Sequence, residues 1–277
     1  MKVHTLKIPT HDFNSRTGIF IASALKMSLK NFGYGSQLSS SKLKDLGFII
    51  QLPIKNKEID FEFIESFIEE LEAERIAELE AYLAASDLKD YKLTKEEQQV
   101  LDCFENLQWK TFNIKALFGE STRGRRLKSA DRIPGDLPFV TAGETDAGIS
   151  DFIGNKVHIF SENTITIDMF GSAKYRNYKY GGDDHVAIVH TEKLAKYAAI
   201  FVATAMHKSS HSGKFDYSRN FYAKDADELN ISLPVKNNHP DYTTMETFIS
   251  AIQKLVIKDV VLYADSKILA TKQACNL

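Results

Sequence analysis

Two long stretches of the chain carry apolar side chains at every third or fourth position. In residues 60–84 these are Phe61, Ile64, Phe67, Ile68, Leu71, Ile76, Leu79, Tyr82 and Leu83. In residues 242–270 they are Met245, Phe248, Ile249, Ile252, Leu255, Val256, Val260, Tyr263, Ile268 and Leu269. This spacing predicts two long helices, each with one apolar face. Since neither helix could bury its face alone, we expect an antiparallel coiled-coil-like pair, and packing of each helix on its own domain is the alternative.

The stretch between these helices has the pattern of short strands separated by turns. The runs 157–160, 164–167 and 186–189 are rich in β-branched residues. Residues 194–207 predict an alanine-rich helix and residues 229–233 a further strand. Turns are indicated by the glycines at Gly135, Gly143, Gly148, Gly154, Gly171, Gly181 and Gly182. The pattern therefore favours an α+β fold with a mixed, β-rich central domain.

The chain also repeats itself at an offset of 181 residues. Ile19–Leu25 reads IFIASAL and Ile200–Met206 reads IFVATAM, while Leu52–Asn56 (LPIKN) matches Leu233–Asn237 (LPVKN). The match keeps its register into both long helices. A period this long indicates a duplicated domain rather than a solenoid. Each copy reads as a strand, a helix, an aromatic loop, a strand ending in Leu-Pro, a turn and a long helix.

The two copies differ in length. The counterpart of residues 93–181 would precede Met1, so we expect one complete unit and only the tail of another. Such a tail would leave unpaired strand edges and apolar surface. A second copy of the chain, or a separate chain carrying the missing part, could cover them.

Composition narrows the class of protein. The 277 residues are 43% hydrophobic and 26% charged, which is typical of a globular domain, and no stretch resembles a signal peptide or a membrane span. The two cysteines, Cys103 and Cys275, are too few for a disulfide framework or a zinc site. We therefore expect a cytoplasmic protein with reduced thiols and no membrane partner.

Charge is distributed unevenly along the chain. The net charge of −2 argues against a protein that is basic throughout. However, residues 58–80 hold ten acidic side chains and a single base, Arg75, whereas residues 110–219 contain two basic clusters. An acidic helix can thus hide a basic domain in the sum over the whole chain.

Several segments, taken in order, resemble a known family. They are Pro138–Gly143 (PFVTAG), Gly148–Gly154 (GISDFIG), Thr164–Ile167 (TITI) and Gly171–Tyr175 (GSAKY), followed by IFVATAM, KFDYSRN and ISLPV. Together with the duplication, this order is similar to the target-recognition domain of type I restriction–modification specificity subunits. It is also similar to the related recognition subunits of type IIB and IIG enzymes. The resemblance extends over essentially the whole chain.

The resemblance implies a division of the chain and a set of partners. Residues 1–58 would be the C-terminal remnant of a first recognition domain, 59–90 a spacer helix, 91–238 a complete recognition domain and 239–277 a second spacer helix. The implied partners are double-stranded DNA and methyltransferase subunits, with a restriction or translocase subunit as a further candidate. No cofactor is implied.

Three basic or aromatic segments are candidates for DNA contact, since cations neutralise phosphates and forked or amphipathic side chains reach base edges. The first is a basic turn, and a solvated loop is its alternative. The second, residues 171–180, alternates bases with aromatics, and a plain hairpin with one wet face is its alternative. The third follows the IFVATAM helix, and there Phe215 is interpreted as core. The predicted contacts are Arg123, Arg125, Arg126 and Lys128 in the first segment, Lys174, Tyr175 and Arg176 in the second, and Lys214, Tyr217 and Arg219 in the third.

Motifs for catalysis and metal binding are absent from the sequence. There is no glycine-rich phosphate cradle and no Asn-Pro-Pro-aromatic stretch of the amino-methyltransferase kind. Asp183-Asp184-His185 lacks the partner pattern of a nuclease and is interpreted as a turn. His207 and His211 lie four residues apart with only Asp216 nearby, so no metal site is predicted.

The sequence therefore predicts a specificity subunit that reads double-stranded DNA and is not itself an enzyme. A protein-interaction scaffold that no longer reads DNA is the second hypothesis, motivated by the acidic helix and the incomplete first unit. An unrecognised hydrolase is the third.

Overall fold

The computed structural model describes residues 12–32, 38–39, 41 and 49–275, with the side chains described up to residue 270. Parts of the predicted remnant 1–58, and the side chain of Cys275, lie outside these residues. The chain divides into two compact units. Unit 1 comprises Met1–Lys89 and Asp259–Leu277, and unit 2 comprises Asp90–Lys258. Within the described residues, no helix combines the length and apolar character needed to cross a membrane.

Unit 1 is built from helices and one small hairpin. Helix α1 (Ser15–Ser28) precedes strands β1 (Ile54–Lys55) and β2 (Glu58–Ile59), and helix α2 (Phe61–Ala85) follows them. Asp60 starts α2 by accepting a hydrogen bond from the backbone N–H of Phe63. The last part of the long helix α7 (Tyr242–Cys275) also belongs to this unit. The two long helices predicted from apolar periodicity are thus confirmed.

Both long helices line one groove within unit 1. Glu69, Ala73 and Ile76 of α2 line one groove together with Ile268 and Ala270 of α7. Leu83 near the end of α2, and Val261 and Ala264 of α7, are buried: Leu83 0%, Val261 2% and Ala264 0% exposed. The α+β class with a pair of long helices is confirmed.

Unit 2 holds the remaining elements. Its helices are α3 (Lys95–Cys103), α4 (Ile114–Phe118), α5 (Lys196–Ser210), α6 (Ala223–Glu228) and the first part of α7. Its strands are β3 (Trp109–Asn113), β4 (Thr122–Arg123), β5 (Pro134–Val140), β6 (Ile149–Ile153), β7 (Ile159–Phe160), β8 (Thr164–Asp168), β9 (Ala173–Arg176), β10 (Tyr180–Gly182), β11 (Val186–Val189), β12 (Asn230–Lys236) and β13 (His239–Pro240).

These strands form three sheets. The first has the order β6-β5-β10-β7, the second β4-β11-β8-β9, and the third β13-β12-β3. The single parallel pairing in these three sheets joins β5 to β10, and the other pairings are antiparallel. Strand β8 is buried along its whole length because it lies between β11 and β9 and under α5.

The main core of unit 2 lies between the second sheet and helix α5. Ile165 and Ile167 of β8 pack there with Val202 and Met206 of α5, and all four side chains are 0% exposed. The alanines of α5 permit this close approach to the sheet. A smaller cluster around Tyr180 and Phe160 fills the space beneath the first sheet. The β-rich domain predicted from the sequence is therefore present.

The internal repeat is visible in the backbone of the two hairpins. Ile54 pairs with Ile59 in unit 1, and Val235 pairs with Pro240 in unit 2, so both hairpins have one register at the offset of the sequence repeat. Each hairpin turns through two residues with positive φ, Asn56-Lys57 and Asn237-Asn238. Such a turn matches the twist of the strands. The prediction that the strand ends at Leu-Pro is wrong: β12 continues through Pro234 to Lys236, because the turn lies two residues further on.

A buried carboxylate joins α3 to α7 within unit 2. Glu97 is 5% exposed and accepts hydrogen bonds from the Ser250 hydroxyl at 2.6 Å, the Thr94 backbone N–H at 2.8 Å and the Lys254 ammonium at 3.1 Å. Burial raises the pKa of this carboxyl, but the three donors together outweigh burial and hold its pKa below the usual range. Glu97 thus stabilises the folded state mainly in its charged form.

Glu97→Gln is expected to lower the free energy of unfolding by about 1–2 kcal/mol at pH 7. A lowered folded-state pKa contributes stability that is present above the unfolded value of about 4.3 and is lost as the pH falls through the folded value. The difference from wild type should therefore shrink below about pH 4, as measured by urea unfolding at both pH values. The exposed Glu105 provides the control, since Glu105→Gln should match wild type at both. An equal loss for Glu97→Gln at both pH values would contradict this role.

Candidate nucleic-acid interface

The two four-stranded sheets of unit 2 direct a set of loops to one end. Arg123 pairs with Ala187 at the start of β11, and Asp168 at the end of β8 pairs with Val186. Strands β5 and β10 are parallel, so their carboxyl ends meet, and the Asp183 N–H donates to the Val140 carbonyl there at 2.9 Å. We call this end the loop end, defined by residues 123–128, 141–148, 168–174, 183–185 and 211–219.

The basic turn 123–128 lies at the loop end and is anchored by its backbone. The Arg125 N–H donates to the Gly182 carbonyl at 2.9 Å. A Cβ placed on Gly124 would lie 1.8 Å from that same carbonyl oxygen, so only glycine allows this approach. The cationic side chains of the turn are exposed, and none forms an ion pair with a carboxylate of the described residues: Arg123, Arg125, Arg126 and Lys128.

Lys174 lies on the edge strand β9 and is already engaged. Its side chain is 16% exposed, and its ammonium donates to Ser172 at 2.8 Å and to Glu144 at 3.2 Å. The Asp168 carboxylate is 3.9 Å away. Hydrogen bonding from Ser172, followed by the interaction with Lys174, lowers the pKa of Glu144 despite partial burial, so this partner is held in its charged form. Lys174 would have to exchange Glu144 for a phosphate in order to bind one.

The other two residues of β9 that were predicted to contact DNA are instead hydrogen-bonded within the protein. Arg176 is 2% exposed, and its guanidinium donates to the Thr166 hydroxyl, the Tyr178 hydroxyl and the Ala147 carbonyl. Tyr175 is half-buried against the main core and donates to the Asn163 side chain at 2.9 Å. Burial raises the pKa of the Tyr175 hydroxyl. We therefore leave Arg176 and Tyr175 out of the interface proposed below.

The segment 211–219 follows α5 and is held at the loop end by Ser210, which donates to the Gly171 carbonyl at 2.6 Å. Tyr217 is 85% exposed, and its ring packs against the ring of Phe170 in an edge-to-face contact. Lys214 is also exposed. Arg219 is occupied instead, because it pairs with Asp225 and lies over the ring of Phe215.

Asp168 organises the loop end, a role that the sequence analysis missed. Its carboxylate is 4% exposed and accepts from the N–H groups of Phe170 and Ser172, both at 3.0 Å, and of Gly143 at 3.2 Å. It thereby ties two loops together. The bonds to Phe170 and Ser172 could have been predicted from the sequence, because an aspartate three residues before Gly171 is typical of a turn. The bond to Gly143 spans 25 residues and follows only from the fold.

Asp183, Asp184 and His185 form a small polar cluster at the loop end. Each offers one ligand atom, and these atoms lie within 4.8 Å of one another. His185 lies 3.2 Å from Asp184, so these side chains already interact. His207 accepts a hydrogen bond from the Ala173 N–H at 3.2 Å and its ring stacks on that of His211. These contacts give the histidines a packing role.

Comparison with known proteins agrees with this architecture. Residues 106–262 match the family model described as the type I restriction modification DNA specificity domain. The chain is 25% identical over 256 residues to the specificity subunit S.BcgI of a type II restriction enzyme from Heyndrickxia coagulans, covering 90% of this chain and 70% of that protein.

A solved structure shares the fold. The S subunit of the type I restriction–modification system from M. genitalium matches with a TM-score of 0.53 and 15% sequence identity, over 94% of this chain and 70% of that chain. The matched family model spans more than half of the 277 residues and includes the whole loop end. The resemblance that the sequence analysis reported is therefore confirmed, and the chain belongs to the type I restriction–modification DNA specificity domain family.

Proposed function

We propose that this chain is the recognition subunit of a restriction–modification system and that the loop end of unit 2 contacts double-stranded DNA. The observation that carries the proposal is the set of exposed cations at that end. Arg123, Arg125, Arg126, Lys128 and Lys214 are exposed and are not ion-paired within the described part of the chain. Unneutralised cations on rigidly anchored loops are what phosphate binding requires.

Two features at the loop end suit base readout. Tyr217 presents an exposed ring and hydroxyl from a braced position on Phe170. The turn at Asp146 and Ala147 is exposed and has positive φ angles of 49° and 54°. The Arg176 guanidinium donates to the Ala147 carbonyl and so fixes this turn. The turn would therefore enter a DNA groove without first having to be ordered. We assign phosphate contacts to the basic turn and base-edge contacts to these two loops.

The long helices supply the scaffold for partner subunits in this proposal. We assign residues 59–90 and 239–277 as spacer helices, 91–238 as a complete recognition domain and 1–58 as the remnant of another. Methyltransferase subunits would dock along the helices, with a restriction or translocase subunit beyond them. The chain itself would contribute specificity and no catalytic group, and it would act in the cytoplasm.

Removing one phosphate contact is expected to weaken binding and to reduce its salt dependence. Arg125→Ala should lower duplex affinity about tenfold at 0.15 M salt and reduce the slope of log K against log salt by about one. The measurement is fluorescence anisotropy with a labelled duplex, on the purified chain and on the complex with its methyltransferase partner.

Lys193→Ala is the matched control because Lys193 is exposed and follows β11 at the end opposite to the loop end. It should leave both affinity and slope unchanged. Equal effects of the two substitutions would refute the placement of the interface. If the wild-type complex bound no duplex at any salt concentration, the scaffold hypothesis suggested by acidic α2 would replace DNA recognition.

A further inference from the structure

The duplication allows each surface of unit 1 to be compared with its counterpart in unit 2. The hairpins share one register, and the rings of Phe20 and Phe67 are 6.0 Å apart at 89°, while those of Phe201 and Phe248 are 6.0 Å apart at 81°. The helix that follows each hairpin begins in the same way: the backbone N–H of Asp60 donates to the Pro53 carbonyl and that of Asp241 to the Pro234 carbonyl, both at 2.9 Å. Unit 2 therefore shows which residues cover this face in a complete copy of the repeat.

In unit 2 this face is covered by residues 104–113. Strand β3 pairs antiparallel with β12 from Asn113 to Trp109, and the Val235 N–H donates to the Gln108 carbonyl just beyond at 2.9 Å. The ring of Phe104 stacks on Phe248 with centroids 4.0 Å apart. The edge of the hairpin is thereby paired, and the neighbouring ring of Phe248 is partly buried.

In unit 1 no described residue takes that position. The hairpin remains a two-stranded sheet, although Ile54 is the counterpart of Val235 and its N–H is the counterpart of the donor to Gln108. Ile54 is 72% exposed and Phe67 is 44% exposed, whereas their counterparts Val235 and Phe248 are partly buried. An unpaired strand edge beside exposed apolar side chains is a site for strand addition.

We propose that unit 1 binds an extended polypeptide segment, which adds antiparallel to residues 49–54. The chemistry of this segment is that of residues 104–113: alternate backbone N–H and C=O groups for the strand edge, and an aromatic ring that stacks on Phe67. A second copy of this chain does not offer such a segment, because its own β3 is already paired with β12 and its own Phe104 is stacked on Phe248. The proposal concerns unit 1 and does not depend on DNA binding by unit 2.

A peptide of residues 104–113, FENLQWKTFN, is the probe. In unit 2, Gln108 and every second residue after it exchange hydrogen bonds with β12. Lys110 and Phe112 are therefore among the paired residues. N-methylation of the peptide at these two positions removes the donors that pair. N-methylation at Trp109 and Thr111 removes donors that face away, and it is the matched control.

The labelled peptide is expected to bind the full chain saturably in fluorescence anisotropy. Methylation at Lys110 and Phe112 should weaken binding at least tenfold more than methylation at Trp109 and Thr111. Phe67→Asp in the protein should also abolish binding, which distinguishes unit 1 from strand exchange in unit 2. Circular dichroism checks that this variant is folded.

Three results would overturn the proposal. The first is absence of binding, which would mean that the face is already covered. The second is binding that survives Phe67→Asp or ignores the methylation pattern. The third is self-association of the chain without peptide, measured by sedimentation and abolished by Phe67→Asp, because the occupant would then be a second copy.

Discussion

Gly124→Ala is expected to weaken duplex binding about 100-fold, more than the loss of any single arginine of the basic turn. The added methyl group would lie 1.8 Å from the oxygen and 2.1 Å from the carbon of the Gly182 carbonyl, and 2.6 Å from the Asp183 carbonyl oxygen. All three atoms belong to the backbone, so no side chain can rotate out of the way. The turn must lift from β10, and its bond from the Arg125 N–H to Gly182 must break.

The large effect follows from the number of cations that move together. Arg123, Arg125, Arg126 and Lys128 all occupy the one anchored turn, and their phosphate contacts would be misplaced at once. Overpacking of this kind should also cost about 1–3 kcal/mol of stability. Anisotropy titrations at several salt concentrations and a thermal melt measure the two effects separately.

Gly18→Ala is the control for the substitution itself. Nothing lies within 4 Å of the Cβ that it would add, and Gly18 is inside helix α1. Alanine should there preserve DNA binding and raise stability by up to about 1 kcal/mol. If Gly124→Ala bound DNA as tightly as wild type while remaining folded, the basic turn would not be part of the interface.

The long-range organisation of the chain was predictable from its pattern. Apolar spacing placed one helix at residues 60–84, and α2 extends from Phe61 to Ala85. The repeat at 181 residues led to two hairpins of one register. These features depend on periodicity and local turn chemistry, which a sequence carries directly.

The assignment of single cations was less predictable. Alternating bases and aromatics in 171–180 indicated an exposed edge, and β9 is indeed an edge strand. However, alternation does not tell which face another loop covers. The 145–148 turn covers the face that carries Arg176, and Glu144 meets Lys174. Both contacts join residues about 30 apart, so only the fold reveals them.

Arg176→Met should separate a structural arginine from a DNA contact. Methionine fills much of the same space, but it leaves the Thr166 hydroxyl and the Ala147 carbonyl without their donor. The carbonyl belongs to a turn in which Asp146 and Ala147 both have positive φ, a conformation that costs free energy in non-glycine residues. We expect a loss of about 2–3 kcal/mol in the free energy of unfolding, measured by urea titration.

The same variant should open the 145–148 turn locally, which limited proteolysis or hydrogen exchange would detect there before the rest of unit 2. Tyr178→Phe is the control, since it removes one acceptor of Arg176 and keeps the bond to Ala147. Because Arg176 is 2% exposed, its loss should leave the salt slope of duplex binding unchanged in the folded protein. A slope reduced by about one, as expected for Arg125→Ala, would instead mean that Arg176 reaches a phosphate and that the 145–148 turn moves aside when DNA binds.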